Sequence, residues 1–398
     1  MHLIDDAERR RRLAVRQHVA AGARTHEPMQ AARDVVALHS TEPPTVHLAL
    51  HARTRTLRVE DVEELLGTDP RLVKQLAMRR TLWAAPRDLL PALLGSSSAR
   101  VAQTERARVV KDAEAHGVAE DGARWLEAAF AAVLDRLGEG EQLTAVQLRE
   151  QLPELQGVFS VSRDKKYGGT FNLAPRVLTA LGATGAITRG RNGGHWRTSR
   201  PQWAASSSWL GDVGEPLPAA AGWAELVRRY LDRFGPATEV DVVWWLGATK
   251  GIVRAALAAI GAEQVRLEGG DTGWVLAGDT GQTDDPGPWG ALLPVLDPTT
   301  MGWKQRDWYL APEHVPYLFD SNGNGGTTAW WNGRVVGCWV QDDDARVRVV
   351  LRDAETERVG ARGMAALEAE AERVTEFLDG QVISSVYKSA QMKGARLP

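Results

Sequence analysis

The sequence predicts an α+β fold: three tandem winged-helix units followed by a small C-terminal β-barrel or curled sheet. Three observations carry this expectation. One plan, helices closed by a β-hairpin, recurs along the first 280 residues. The stretch Val158–Arg200 holds eight basic residues and one acidic one in a chain of net charge −3, the footprint of a basic helix and wing on a phosphate backbone. Beyond residue 287 the apolar period shortens from three or four to two, the spacing of strands. The expected divisions are 1–140, 141–210, 211–280 and 288–398.

The elements follow in order. Leu13 to Ala21 reads as an entry helix. In the first unit MQAARDVVALHS and VEDVEELLGTDPRLVKQLAM carry helical spacing, and RTLWAAP reads as a strand that serves as the wing. The second unit opens on Thr144, a capping residue for TAVQLREQL. A helix through RVLTALGATG follows, then strands flanking Arg191-Asn192-Gly193-Gly194 and ending at HWRTS. The third repeats it: Thr238 caps EVDVVWWLG, IVRAALAAIGA forms a second helix, and VRLEGGDTGWVLA a hairpin. Leu178-x-x-Leu181-Gly182 overlays Leu257-x-x-Ile260-Gly261, and Trp196 and Trp274 fall at matching places. A polar linker, Gly278 to Gly287, ends the array. PVLDP, WKQRDWYL, TTAWWNGRVVGCWVQ and VRVVLRD then alternate like strands, with Asn332-Gly333 as a hairpin turn. Met364 to Leu378 closes the chain as an amphipathic helix.

Composition bounds the function. A chain of 398 residues suggests two to four domains, and 43% hydrophobic with 25% charged residues reads as a folded protein. The single cysteine, Cys338, excludes an internal disulfide and a cysteine-rich zinc site. The segment MHLIDDAERRRR does not read as a signal peptide, and no run of 18 apolar residues exists. The expected compartment is the cytoplasm, including the nucleoid. Fifteen tryptophans against six phenylalanines are read as core and hairpin anchors.

Several motifs bear on chemistry. His47 and His51 lie four apart, but the run H-L-A-L-H lacks the glutamate of a zinc-protease helix, so no metal is expected. His39 precedes Ser40-Thr41-Glu42-Pro43-Pro44, where proline is expected to end a helix and leave polar groups converging. Asp320-x-Asn322-x-Asn324-Gly325 starts like a calcium loop, yet its twelfth position is Trp331 where glutamate is needed, so a turn is expected. No phosphate-binding GxxxxGK[ST] and no GxSxG elbow is present. The expected DNA-binding residues are Arg163, Lys165, Lys166, Arg176, Arg189, Arg191, Arg197 and Arg200.

The stretches VVALHSTEPPTVHLALHART and MGWKQRDWYLAPEHVPYLFDSNGNGGTTAWWNGRVVGCWVQ, with this order of parts, resemble the winged-helix DNA glycosylases of the AlkZ and YcaQ type. The resemblance covers nearly the whole chain. It implies a C-shaped, monomeric, cofactor-free and metal-free protein that grips damaged duplex DNA and cleaves the N-glycosidic bond of bulky or crosslinked alkylated purines, such as N7-alkylguanine. The family's catalytic pair is Gln-x-Gln or Gln-x-Asp. Here His39 and Thr41 occupy those positions. A neutral His39 would accept a proton from water, Thr41 would hold that water, and Glu42 or Asp297 would stabilise the positive sugar. The alternative is a non-catalytic winged-helix protein that recognises damaged DNA or regulates transcription. A conventional regulator is the weaker form, since no dimerisation arm is evident.

Overall fold

A computed structural model describes residues 1–161 and 168–395. The architecture is mixed α and β, built on a motif that occurs three times: a two-residue strand, helices, then an antiparallel hairpin whose second strand pairs with the first short one. Leu38–His39 pairs with Leu82–Pro86, which pairs with Leu72–Leu76. Leu143–Thr144 pairs with Pro201–Ala205, which pairs with Ile187–Asn192. Ala237–Thr238 pairs with Thr272–Val275, which pairs with Glu263–Leu267, and Leu3–Ile4 adds a parallel edge strand.

Local chemistry places these turns. Thr144 and Thr238 each close a capping box: Thr144 accepts from the Gln147 amide at 3.2 Å and Thr238 from the Asp241 amide at 3.2 Å. Gln147 and Asp241 reciprocate by accepting the Thr144 and Thr238 amides. The helix Ala219–Phe234 buries Trp223, Leu226, Val227, Tyr230, Leu231 and Phe234, a stripe at spacing three and four.

Two of the cores divide the array unevenly. Residues between Val109 and Ala205 form their own core, while the first unit, the third unit and much of the C-terminal part share a larger one. The C-terminal sheet is a meander of Gly290–Leu293, Thr328–Trp331, Arg334–Gln341 and Val347–Leu351. The helix Thr356–Leu378 packs on it through Leu367, Ala371, Val374 and Leu378.

The structure corrects several expectations. The C-terminal sheet is open, not a closed barrel: among the described residues its edge strands, Gly290–Leu293 and Val347–Leu351, do not pair. Leu72–Leu76 is a strand rather than a helix end, because Asp69-Pro70 stops the preceding helix and a five-residue register with Leu82–Pro86 takes the chain. WKQRDWYL forms turns. The Lys304 and Gln305 amides both donate to Asp241, Tyr309 and Leu310 amides donate to the Arg306 carbonyl, and Trp303 packs edge-on against Trp308 at 4.9 Å. The helix expected to reach Ser40 ends at Arg33, and Leu38–His39 is a strand. The entry helix spans Asp6–Arg16. In the second hairpin the connection runs from 193 to 200, so HWRTS lies in the turn. No single helix among the described residues is long and apolar enough to cross a membrane.

Candidate functional site

The segment from Leu38 to Arg53 carries the densest polar chemistry. His39 sits on the short strand, opposite Trp83 in register, with its ring tilted 33° to the indole at 3.8 Å between centroids. It is 1% exposed, and neither ring nitrogen has a protein partner. Burial, and then the charge of Arg79, hold its pKa well below the usual histidine value, so the ring is neutral at pH 7. The Ser40 amide donates to the Leu82 carbonyl at 2.9 Å, and its buried hydroxyl has no partner. Thr41 is exposed. His39 is thus inside, while Thr41 lies beyond the end of the two-residue strand, at the surface.

Glu42 starts the helix Pro43–Arg53, whose first two positions are proline. Its Oε1 accepts from Ser385 Oγ at 2.8 Å and the Val386 amide at 2.6 Å. Burial raises its pKa against the pull of these hydrogen bonds. Glu42 lines a cavity of about 150 Å³ with Thr45, Leu48, Trp339 and Lys388. His39 does not line this cavity. Asp297 is fully buried and clamps Arg53 at 2.7 and 2.9 Å, while the Thr299 amide also donates to it at 2.8 Å. That clamp ties the end of the Pro43–Arg53 helix to the C-terminal part and does not bring the carboxylate to His39.

His47 and His51 share a helix face but serve separate partners. His47 Nε2 meets Glu63 at 2.9 Å, and His51 stacks on Phe377 at 4.3 Å. Among the described residues, no three His, Cys, Asp or Glu side chains converge as metal ligands. The Asp320 loop is self-contained: its carboxylate accepts from the Asn322 and Asn324 amides.

The basic segment divides. Arg163, Lys165 and Lys166 lie outside the described residues. Arg176 ion-pairs with Asp112 and covers the Phe159 ring at 3.5 Å. Arg189 lies over Trp203 at 4.8 Å, and burial lowers its pKa to about 10. Arg197 donates to the Val382 carbonyl and to His195 Nδ1. Arg191 and Arg200 are exposed, and neither forms an ion pair among the described residues. The turn that carries them is stiffened by Asn192, whose amide donates to the carbonyls of Gly194, His195 and Thr198 and whose oxygen accepts from Arg200.

Sequence reasoning missed Arg79 and Arg306. Arg79 occupies the tip of the first hairpin at φ +55°, a left-handed conformation that Arg80 shares. Gly247 permits this approach: a Cβ there would sit 2.9 Å from the Arg79 nitrogen. The guanidiniums of Arg79 and Arg306 lie 4.2 and 5.1 Å from the Trp244 ring centroid. The adjacent turn arginines Arg79-Arg80 were the only visible signal, since Arg306 comes from a distant segment.

A family model described as DNA glycosylase AlkZ-like matches residues 32–377. Among solved structures, the Streptomyces sahachiroi DNA glycosylase AlkZ is similar to this chain at a TM-score of 0.71 and 21% sequence identity. The match covers 94% of this chain and 97% of that one, a likeness of fold. No curated protein matches significantly.

Proposed function

The chain belongs to the AlkZ-like DNA glycosylase family, and from that premise we propose that it hydrolyses the N-glycosidic bond of alkylated or crosslinked purines, of the N7-alkylguanine type, in duplex DNA. Family membership gives the reaction class, N-glycosyl hydrolysis in DNA. The observation that carries the site is His39: a buried neutral imidazole with unpartnered nitrogens at the position of the family's catalytic pair.

The chemistry suits a weak base. N7-alkylation makes the purine cationic, so breaking the C1′–N9 bond sends its electron pair to a base that departs neutral. The sugar becomes oxocarbenium-like, water adds at C1′, and the resulting protonated adduct is strongly acidic. His39 therefore needs only to orient the water and accept a proton late, which tolerates the lowered pKa. Thr41, two residues on and exposed, holds that water at the surface end of its approach. Glu42 and Asp297 act through other residues, Glu42 by holding Ser385 and Val386 and Asp297 by holding Arg53.

The three strand–helix–hairpin units act as winged helices on a concave, monomeric scaffold. Their shared strand order and the two capping boxes support this reading. The turn at 193–200 is the groove-probing hairpin, with Arg191 and Arg200 at phosphates. The C-terminal hairpin turn Asn332-Gly333, the other candidate for that role, is packed: Gly333 lies against Arg10, and Asn332 accepts from the Trp289 amide at 2.9 Å. Incubation with a duplex carrying one N7-alkylguanine, followed by alkaline cleavage, tests the function. Strand scission at the lesion is expected. Binding without any base release would leave the protein a damage binder.

A further inference from the structure

Arg306 is 6% exposed, yet neither it nor Arg79 forms an ion pair among the described residues. Buried cations are normally paired, because removing their hydration without a counterion is costly. Aromatic faces offset part of that cost: Arg306 lies 4.2 Å from the Phe319 ring centroid, and both guanidiniums flank Trp244. A ring engages the face of a guanidinium and leaves its in-plane N–H donors free. Nε and one Nη of Arg306, one Nη of Arg79 and both nitrogens of His39 are buried without a protein partner. Burial first, and then the charge of Arg306, lowers the Arg79 pKa to about 10. Arg79 also opposes protonation of His39. The like charges are held together by a tight backbone, the left-handed turn at Arg79 seated on Gly247. Such an arrangement is expected where an external anion completes the site. Arg79 and Trp244 are only half-buried, so the cluster reaches solvent on their side.

We infer that Arg79 and Arg306, converging on Trp244 beside His39, bind one phosphodiester of the lesion strand and so seat the damaged nucleotide against His39. This inference rests on the glycosylase reading above. In-plane donors from two arginines match the two non-bridging oxygens of one phosphate. An oxyanion there also supplies the negative charge that the site lacks, next to the sugar that becomes positive. Arg79 and Arg306 are positioning residues in this arrangement, since they meet backbone and not the reacting bond.

The test uses the full chain and a set of duplexes, each with one N7-methylguanine and one neutral methylphosphonate linkage moved stepwise past it. Wild type should lose roughly tenfold or more in affinity at one linkage in register with the lesion. Arg79→Gln and Arg306→Gln should bind the all-phosphate duplex that much more weakly and show no further loss at that linkage, while keeping wild-type responses elsewhere. The double variant should lower the log-log salt slope by about 0.9, the one phosphate that the pair shares, and each single variant by no more than that. Arg306→Lys should recover part of the affinity. If Arg306→Gln does not fold, Arg79→Gln alone carries the test, since Arg79 sits on a half-exposed turn. Variants that respond to every neutral linkage as wild type does would overturn the inference. Thermal stabilisation of wild type but not Arg306→Gln by inorganic phosphate, with no linkage in register with the lesion, would assign the site to a free phosphate and also overturn it. Position-specific loss without base release would sink the glycosylase reading and leave this site standing. Base release with no such linkage would do the reverse.

Discussion

His39 is a buried polar residue whose cost to the fold is tied to pH. Its folded pKa lies well below the unfolded value near 6.5, from burial first and Arg79 second. The unfolded chain therefore takes up the proton first as pH falls. The stability of the neutral ring is full above the unfolded pKa and is lost as pH drops toward the folded one. His51 is depressed for similar reasons, by burial and by Arg373 and Arg24. The thermal midpoint should fall from pH 7.5 toward about 5, and His39→Phe should flatten that slope only in part, because His51 remains. An unchanged slope would mean that the imidazole is solvated. In catalysis, His39→Ala should lower base release by roughly a hundredfold with little change in DNA affinity, and Thr41→Ala should cost less. His39→Gln with Thr41→Gln, the family pattern, should keep or raise release. Single-turnover assays separate these effects from binding. Asp297 differs: Asp297→Asn strands a fully buried Arg53 and should destabilise the protein by about 3–5 kcal/mol in urea unfolding.

At the scale of elements, the basic wing separates into buried anchors and exposed cations, Arg191 lying 5.8 Å from the Trp209 ring centroid. Arg189 packs on Trp203, so Arg189→Ala should lower the thermal midpoint and scarcely touch the salt dependence of binding. Arg191→Ala with Arg200→Ala should leave the midpoint alone and reduce the log-log salt slope by about 0.9 for each phosphate no longer neutralised. A slope unchanged in the double variant would remove this turn from the interface. The same elements show what was legible. Thr144 and Thr238 announced their helices because a capping box is a local event. Leu72–Leu76 misled because LVKQL satisfies helical spacing, and the partner strand that decides the matter begins six residues after it ends. The short strands Leu38–His39, Leu143–Thr144 and Ala237–Thr238 were not legible, because two residues carry no period and the pairing partner of each lies far along the chain. WKQRDWYL alternated like a strand, but its aromatics satisfy one another in a packed turn, which no period reports. The Arg79–Arg306 pair was invisible because only the tertiary fold brings the two together.

Across the whole molecule, the second unit holds its own core, and one large side chain joins it to the C-terminal layer. Among the described residues, Trp196 is the one from that unit in the cluster formed by Leu48, Leu292, Trp331, Val336, Trp339 and the helix Thr356–Leu378. It lies 4.8 Å from the His47 ring and 6.3 Å from that of Phe377, and the neighbouring Arg197 donates to the Val382 carbonyl. The turn that carries Arg191 and Arg200 is thus pinned to the helix that follows Thr41. Trp196→Ala removes this pin while leaving the core between Val109 and Ala205 intact. The expected loss is about 3–5 kcal/mol of coupling between layers, the usual cost of deleting a buried tryptophan. Amide exchange should rise in 187–205 and at the C-terminal end of Thr356–Leu378, while the core of the second unit keeps its protection. Base release should fall further than DNA affinity, because the free arginines remain but no longer hold the duplex in register with His39. Exchange confined to the turn itself, with release and affinity falling together, would show that Trp196 fills space without aligning the wing to the site.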